Sequence, residues 1–246
     1  MPDGMRLSSK MSPVTPAEIA YMKAVPYREA VGRLLYLSIA TRPDISYAVG
    51  VLCRFNSNPR EQHWNAVKHL LRYLKHTVNL KLVYSPLSSR DLFSTYSDAD
   101  LSGNPDNSRS TAGHVILVGT GPVTWGSRLQ KHVSLSSTES EYTTAAATGC
   151  EMMWMRYFLE KIGYDVTDPS PLFLDSASAL QVIKNPEHQS MMKHVHRSHH
   201  WIRDHVEQGD IRVQHVSSNE NTADIFTKPL GRTKFEYLRA KLGLRP

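Results

Sequence analysis

The chain has 246 residues, of which 40% are hydrophobic and 21% charged, which excludes a mainly disordered chain and allows one large domain or two small ones. No run approaches the ~20 apolar residues that cross a bilayer, so a membrane-spanning protein is excluded. The formal charge of +6 is concentrated in residues 1–97, where 13 Lys and Arg accompany six Asp and Glu, and this indicates either a polyanionic partner or a solvated basic surface.

The first 84 residues predict an arm followed by helices. Residues 1–25 show no periodicity and predict an extended or disordered arm. Apolar residues then recur at the spacing of an α-helix in three segments: 27–39, 45–52 and 61–76. The third segment also carries a stripe of basic residues on its polar side: Lys68, Arg72 and Lys75. We therefore expect residues 26–84 to form a small, basic, all-helical module.

From residue 92 the pattern changes to strands alternating with helices. A turn is expected over 119–122, leading into 123–125. Five strands are predicted, near 92–99, 114–118, 132–135, 172–175 and 211–216. Four helices are predicted, over 137–162, 177–183, 194–208 and 232–242. This order is typical of an α/β domain with a mixed sheet.

Four acids stand out by their positions on these elements: Asp98, Glu141, Asp175 and Asp224. Asp98 and Asp175 each close a predicted strand, and ligands gather at the carboxyl ends of strands in open α/β sheets. Carboxylates placed together repel one another unless a hard divalent cation such as Mg²⁺ neutralises them. Structural explanations also exist, such as a capping box formed by Thr138 and Glu141 or an ordinary turn at Asp98. The residues alone leave both explanations open.

A series of short motifs runs along the chain. In residues 96–230 they include Tyr96-Ser97-Asp98-Ala99-Asp100, Trp125-Gly126-Ser127, Ser137-Thr138-Glu139-Ser140-Glu141-Tyr142, Lys193-His194 and Ala223-Asp224-Ile225-Phe226-Thr227-Lys228-Pro229-Leu230. Upstream they include Thr41-Arg42-Pro43-Asp44-Ile45 and Leu71-Arg72-Tyr73-Leu74-Lys75. With these motifs the chain closely resembles the carboxyl-terminal part of copia-type (Ty1/copia) retrotransposon Pol polyproteins. That part comprises the helical segment after the reverse transcriptase palm and the ribonuclease H domain.

This resemblance implies a ribonuclease H-like fold over residues 91–230, with a five-stranded mixed sheet flanked by helices, and a carboxyl-terminal helix over 231–246. It also implies a metal-dependent endonuclease that cuts the RNA strand of RNA–DNA hybrids. Hydrogen bonds to 2′-hydroxyls would select RNA. The basic stripe of the helical module would hold the backbone of the duplex without reading its sequence.

The resemblance also implies a set of metal ligands. The family's acid quartet carries over to four residues: Asp98, Glu141, Asp175 and Asp224. Asp98 would bridge two Mg²⁺ ions, for which Mn²⁺ could substitute, and no small-molecule cofactor is expected. Glu141 and Asp175 would complete one ion site, and Asp224 would complete the other.

Three neighbouring residues remain as alternatives. Glu139 could replace Glu141, although the small residues that follow Glu141 favour the latter. Asp100 lies two residues beyond Asp98, on the same face of the strand, and could replace it. Cellular ribonucleases H use a loop histidine before the last acid, whereas His215 is predicted to lie on a strand here, which disfavours that role for it.

Two wider alternatives concern the function as a whole. No Tyr-x-Asp-Asp or Phe-x-Asp-Asp polymerase motif occurs in the chain, so we expect a retroelement remnant that does not copy nucleic acid. A catalytically silent remnant that only binds nucleic acid is the competing hypothesis. The histidines between 194 and 200 suggest zinc, but no HExxH helix or cysteine pair accompanies them.

Without a signal peptide or more than two cysteines, the expected compartment is intracellular, in the cytoplasm or nucleus.

Overall fold

The computed structural model describes residues 6–11, 13, 15–86, 91–185 and 201–246. The first helix, α1 (Pro16–Ala24), lies in the segment predicted to be an extended or disordered arm. A capping box explains it, because the Thr15 hydroxyl accepts a hydrogen bond from Glu18 N and the Glu18 carboxylate accepts one from Thr15 N. Pro16 occupies the first helical position, where a missing N–H costs nothing. The arm prediction is wrong for these residues.

Three more helices enclose one apolar core: α2 (Tyr27–Ala40), α3 (Ser46–Cys53) and α4 (Glu61–His76). Val31, Val49 and Val67 are fully buried where the three helices meet. The predicted bounds of α4 are confirmed, because its apolar side faces this core over its whole length. A short strand, β1 (Lys81–Leu82), follows it.

The main sheet has five strands in the part of the chain that the structure describes: β2 (Ser94–Ala99), β3 (Thr111–Val118), β4 (Gly121–Leu129), β5 (Ser170–Leu174) and β6 (Ile211–His215). Their order across the sheet is β4-β3-β2-β5-β6. The pairs β2–β3 and β3–β4 are antiparallel, and the pairs β2–β5 and β5–β6 are parallel. The expected five-stranded mixed sheet of an α/β fold is confirmed.

Helices cover both faces of this sheet. One face packs against α5 (Ser137–Lys161), α6 (Ala177–Lys184) and α7 (Trp201–Glu207). The other face is covered by a 3-10 helix, Thr222–Phe226, and by α8 (Arg232–Lys241). After α8, β7 (Leu244–Arg245) pairs with β1, so the end of the chain returns to the helical module. The predicted helix over 194–208 is described only from residue 201, and the motif and histidines at 193–200 lie outside the described residues.

The third strand lies earlier than the sequence predicted. The prediction of a strand near 132–135 is wrong, because Val133 and Leu135 are exposed in a loop. Gly119, with φ +60°, makes the turn that lets β4 start at Gly121 and run back along β3. Glycine, proline and serine give β4 a low strand propensity, but pairing with β3 overrides it.

The helical module and the sheet are joined by specific contacts. Trp125 of β4 donates a hydrogen bond from Nε1 to Ser38 O, at 2.9 Å. Arg239 of α8 donates one to the Tyr73 hydroxyl of α4, at 3.1 Å. Within the described residues, no helix is both long and apolar enough to cross a membrane.

Candidate metal centre

Three of the four predicted acids come together at one edge of the main sheet. Asp98 lies near the end of β2, Asp175 directly follows β5, and Glu141 lies in the second turn of α5. One carboxylate oxygen of each lies within 4.8 Å of the others. β2 and β5 are parallel neighbours in which Tyr96 is paired with Phe173, so the two aspartates leave the sheet side by side. Because α5 packs across β2, it brings the glutamate over the same edge.

Asp224 is buried beside this group and is neutralised by two lysines. It lies on the 3-10 helix that packs against β2 and β3. Its Oδ1 lies 2.6 Å from Lys228 Nζ, and its Oδ2 contacts Lys234 Nζ. Lys228 Nζ also lies 3.6 Å from Asp98 Oδ2, so this lysine bridges the two aspartates. Asp224 therefore adjoins the group of three acids without belonging to it.

Two polar side chains fix the aspartates in place. Asn221, which is fully buried, donates a hydrogen bond to Ser97 O at 3.0 Å and accepts one from Ala223 N at 3.1 Å. It thereby caps the 3-10 helix and ties it to β2. The Thr227 hydroxyl at the other end of this helix is hydrogen-bonded to Asp98 Oδ2. Both ends of the helix are thus attached to the strand that carries Asp98.

A glycine makes this close approach possible. Gly113 is paired with Asp98 across β2 and β3. A Cβ at this position would lie 2.6 Å from Thr227 Cγ2 and 2.9 Å from Phe226 Cβ. Any larger residue would therefore push the 3-10 helix, with Asp224, away from the sheet.

Glu139, the alternative to Glu141 as a metal ligand, instead caps the start of α5. Ser136 is the N-cap of α5, and its hydroxyl accepts a hydrogen bond from Glu139 N at 3.1 Å. The Glu139 carboxylate accepts one from Leu135 N at 2.8 Å. Because the helix is capped by this pair, the capping box expected for Thr138 and Glu141 is not formed. Glu141 instead faces the group of acids.

The alternative at Asp100 is held in a turn. β2 ends at Ala99, so the alternation of faces along the strand does not extend to Asp100. The Asp100 carboxylate accepts a hydrogen bond from Thr111 N, and the turn at Gly103 closes over it. Burial raises the pKa of Asp100, but its side chain is not part of the group of three acids.

Burial and mutual repulsion govern the charge of the acids. Burial, and then the charge of Asp224, raises the pKa of Asp98 to about 7. Burial, and then the charges of Asp98 and Asp175, raises the pKa of Glu141 to about 9. Burial alone would also raise the pKa of Asp224, but hydrogen bonding with Asp98 and the charge of Lys228 lower it. Without a cation, Glu141 therefore keeps a proton near neutral pH, whereas Asp98 is only partly protonated there.

These properties fit a hard divalent cation. The donors are carboxylate oxygens, which Mg²⁺ and Mn²⁺ prefer. Glu141 Oε2 is buried and has no hydrogen-bond partner in the described part of the chain, so it has an unused acceptor. A cation among the three carboxylates would satisfy this oxygen and relieve the repulsion that raises the two pKa values.

The other predicted site residues lie on exposed surfaces. The side chains of the basic stripe on α4 are all solvent-exposed: Lys68, Arg72 and Lys75. His215 ends β6, is exposed, and is paired in register with Leu174, immediately before Asp175. It therefore lies at the same edge of the sheet as the acids. Its role stays a prediction.

The polar residues that surround Asp224 were not predicted from the sequence. Lys228 was noted only as part of a motif, and Lys234 and Asn221 were not singled out. The spacing of four residues between Asp224 and Lys228 is the available signal, because opposite charges at this spacing often pair on helices. Here Lys228 lies just beyond the end of the 3-10 helix and still reaches Asp224.

Comparisons with known proteins agree with the motifs. The chain is 41% identical over 240 residues to a retrovirus-related Pol polyprotein from transposon TNT 1-94 of Nicotiana tabacum, which covers 98% of this chain and 18% of that protein. It is 42% identical over 218 residues to the Pol polyprotein from transposon RE1 of Arabidopsis thaliana, covering 89% of this chain and 15% of that protein. The chain thus spans less than a fifth of either relative. No protein-family model matches it.

Solved structures give a weaker likeness. The N-terminal RNase H domain of rv2228c from Mycobacterium tuberculosis, solved as a fusion with maltose-binding protein, is 12% identical with a TM-score of 0.36. The match covers 60% of this chain and 96% of that one. The fold assignment rests instead on the order and directions of the five strands.

Proposed function

The chain belongs to the retrovirus-related Pol polyproteins of copia-type transposons, and on that basis we propose that its acid site is a ribonuclease H-type nuclease centre. Its substrate would be an RNA–DNA hybrid, of which it cuts the RNA strand. The observation that carries this proposal is the meeting of three carboxylates, of which Asp98 and Glu141 are buried and Asp175 is half-buried. Two of them come from the carboxyl ends of neighbouring parallel strands and the third from α5. Such a group is costly to bury unless a cation neutralises it.

The residues that would hold the metal are Asp98, Glu141 and Asp175, with Asp224 beside them. When bound, Mg²⁺ or Mn²⁺ activates water and neutralises charge on a phosphate. The protein's part is to keep the carboxylates converged: Thr227 orients Asp98, and Asn221 holds the 3-10 helix against β2.

In this proposal the other parts of the chain help to bind the RNA–DNA hybrid. Residues 26–84 would form a duplex-holding module whose basic stripe contacts phosphates without sequence preference. Residues 91–230 would form the nuclease domain. The predicted carboxyl-terminal helix over 231–246 is shorter than expected, because α8 ends at Lys241 and β7 follows it. The 2′-hydroxyls of the RNA strand would provide the selectivity for a hybrid over DNA.

A cleavage assay on an RNA–DNA hybrid tests the proposal. We expect cutting that requires Mg²⁺ or Mn²⁺. The rate should fall at least ~100-fold in Asp98→Asn and in Asp175→Asn, because loss of a group that merely orients a metal ligand costs about 10- to 100-fold and loss of the ligand itself costs more. Asp165→Asn, at an exposed loop acid, serves as the control and should cut normally. Cleavage that continues in EDTA or in either ligand variant would refute the proposal.

A second candidate is a nucleic-acid-binding protein without catalysis. The neutralisation of Asp224 by two lysines favours it, because the fourth acid is then not available to a metal. In this case, binding of the hybrid should weaken steeply with salt while no cutting occurs at any metal concentration.

A further inference from the structure

Lys228 lies where a second metal ion would be expected. A cation bridging Asp98 and Asp224 needs one oxygen from each carboxylate. Lys228 Nζ already lies 2.6 Å from Asp224 Oδ1 and 3.6 Å from Asp98 Oδ2. Both aspartates are buried, so the lysine supplies a positive charge at the point where two negative charges converge.

The remaining oxygens near this point are also engaged. Asp224 Oδ2 contacts Lys234 Nζ, which donates a further hydrogen bond to Ser218 O at 2.7 Å. The Thr227 hydroxyl is bonded to the same Asp98 oxygen that Lys228 approaches. Asp224 Oδ1, like Glu141 Oε2, has no hydrogen-bond partner among the described residues, but Lys228 Nζ lies 2.6 Å from it as an ion pair. A metal therefore reaches either oxygen of Asp224 only if a lysine moves.

The group of Asp98, Glu141 and Asp175 is arranged differently. Its three oxygens lie within 4.8 Å of one another, and Glu141 Oε2 is without a hydrogen-bond partner in the described residues. Lys228 approaches only Asp98 in this group, because no ion pair to Glu141 or Asp175 within 4.0 Å occurs among the described residues. A divalent cation can therefore bind the oxygens of Glu141 and Asp175 without displacing an ammonium group from them. The two halves of the acid site thus differ in the presence of a built-in cation.

We propose that Lys228 is a positioning residue whose ammonium group takes the place of a second metal ion between Asp98 and Asp224. The inference rests on the proposed function. The protein then binds one divalent cation at Asp98, Glu141 and Asp175, and it binds a second only when Lys228 is displaced. The Lys228 side chain is 39% exposed, whereas those of Asp98 and Asp224 are 2% and 0% exposed, so the lysine can move into solvent when a second ion enters.

Mn²⁺ binding to the full chain, measured by calorimetry and by electron paramagnetic resonance without any nucleic acid, tests this. We expect the wild-type protein to bind one ion well and a second at least about tenfold more weakly, since a neighbouring charge changes ionic equilibria by 10- to 1,000-fold. In Lys228→Met the second ion should bind at least about tenfold more tightly than in the wild type. Lys228→Arg keeps the charge and should behave like the wild type.

Lys161→Met is the matched control for loss of charge. Lys161 is exposed and lies twenty residues beyond Glu141 on α5, roughly 30 Å away. This variant should bind Mn²⁺ as the wild type does. Thermal unfolding in EDTA checks that each variant folds. If Lys228→Met does not fold, the difference in affinity between the two ions of the wild-type protein still tests the inference.

The outcomes separate this inference from the proposed function. Two wild-type ions of equal affinity, or an unchanged second ion in folded Lys228→Met, would overturn the role of Lys228 and leave the nuclease proposal standing. Loss of the first ion in Asp175→Asn is expected. If no variant and no wild-type protein binds Mn²⁺, both proposals fail.

Discussion

Removing the Asn221 side chain should destabilise the protein markedly, because this buried residue joins the 3-10 helix of Asp224 to β2. Asn221→Ala deletes a hydrogen bond to Ser97 O and another from Ala223 N. It also leaves these two backbone groups unpaired in the interior, where each costs about 1–3 kcal/mol. We therefore expect the free energy of unfolding to fall by ~3 kcal/mol.

Two further variants show which bond matters. Asn221→Asp keeps the acceptor for Ala223 N but loses the donor to Ser97 O, and it adds a buried negative charge near Asp224. It should be at least as unstable as Asn221→Ala at neutral pH. Asn219→Ala, two residues earlier and exposed, is the control and should stay within about 0.5 kcal/mol of the wild type.

Urea unfolding followed by circular dichroism in EDTA measures these differences. The slope of the free energy against urea should be the same for all variants if only the native state changes. If Asn221→Ala and Asn219→Ala prove equally stable, the bonds to Asn221 do not hold the helix in place, and our account of how Asp224 is positioned is wrong.

Three other predictions follow from the site and its surroundings. Since burial raises the pKa of Glu141 to about 9 from an ordinary 4.5, the folded state binds a proton that the unfolded chain releases, so stability in EDTA should fall as the pH rises from about 5 to about 9. Thermal unfolding across that range should show the fall, and Glu141→Gln should flatten it. Trp125→Phe removes the hydrogen bond to Ser38 O and should cost about 1 kcal/mol in urea unfolding. Replacing the three residues of the basic stripe with alanine should reduce the slope of log affinity for a hybrid against log salt by roughly 2 to 3, and an unchanged slope would exclude the stripe from binding.

The most regular sequence patterns led to the most accurate predictions. α4 was placed correctly because its apolar residues recur regularly over four turns. Asp98 and Asp175 each close a predicted strand, where ligands gather, and the resemblance implied that they belong to one metal site. The two aspartates meet because β2 and β5 are parallel neighbours in the sheet, a pairing that was not predicted from the sequence.

The weaker predictions failed where long-range pairing or local capping decides the structure. β4 contains two glycines and a proline, and it is a strand only because β3 provides hydrogen-bond partners along its length. The helix at Pro16–Ala24 has little amphipathic pattern, so periodicity missed it, although Thr15 and Glu18 have the spacing of a capping box. In both cases the structure depends on a hydrogen-bonding partner, which the intrinsic propensity of the segment does not reveal.

The contacts of Asp224 explain why a list of acids is not sufficient to describe this site. One short segment, 221–228, supplies the fourth acid, its anchor to β2 and the lysine that bridges it to Asp98. Asp175 instead follows β5 and makes no ion pair with that lysine within 4.0 Å among the described residues. The charge of Asp175 nevertheless contributes to the raised pKa of Lys228. Changes within 221–228 should therefore act mainly on the Asp98–Asp224 half of the site, and changes at Asp175 mainly on the other half. Metal binding in the two sets of variants can consequently be compared to assign each ion to its own half.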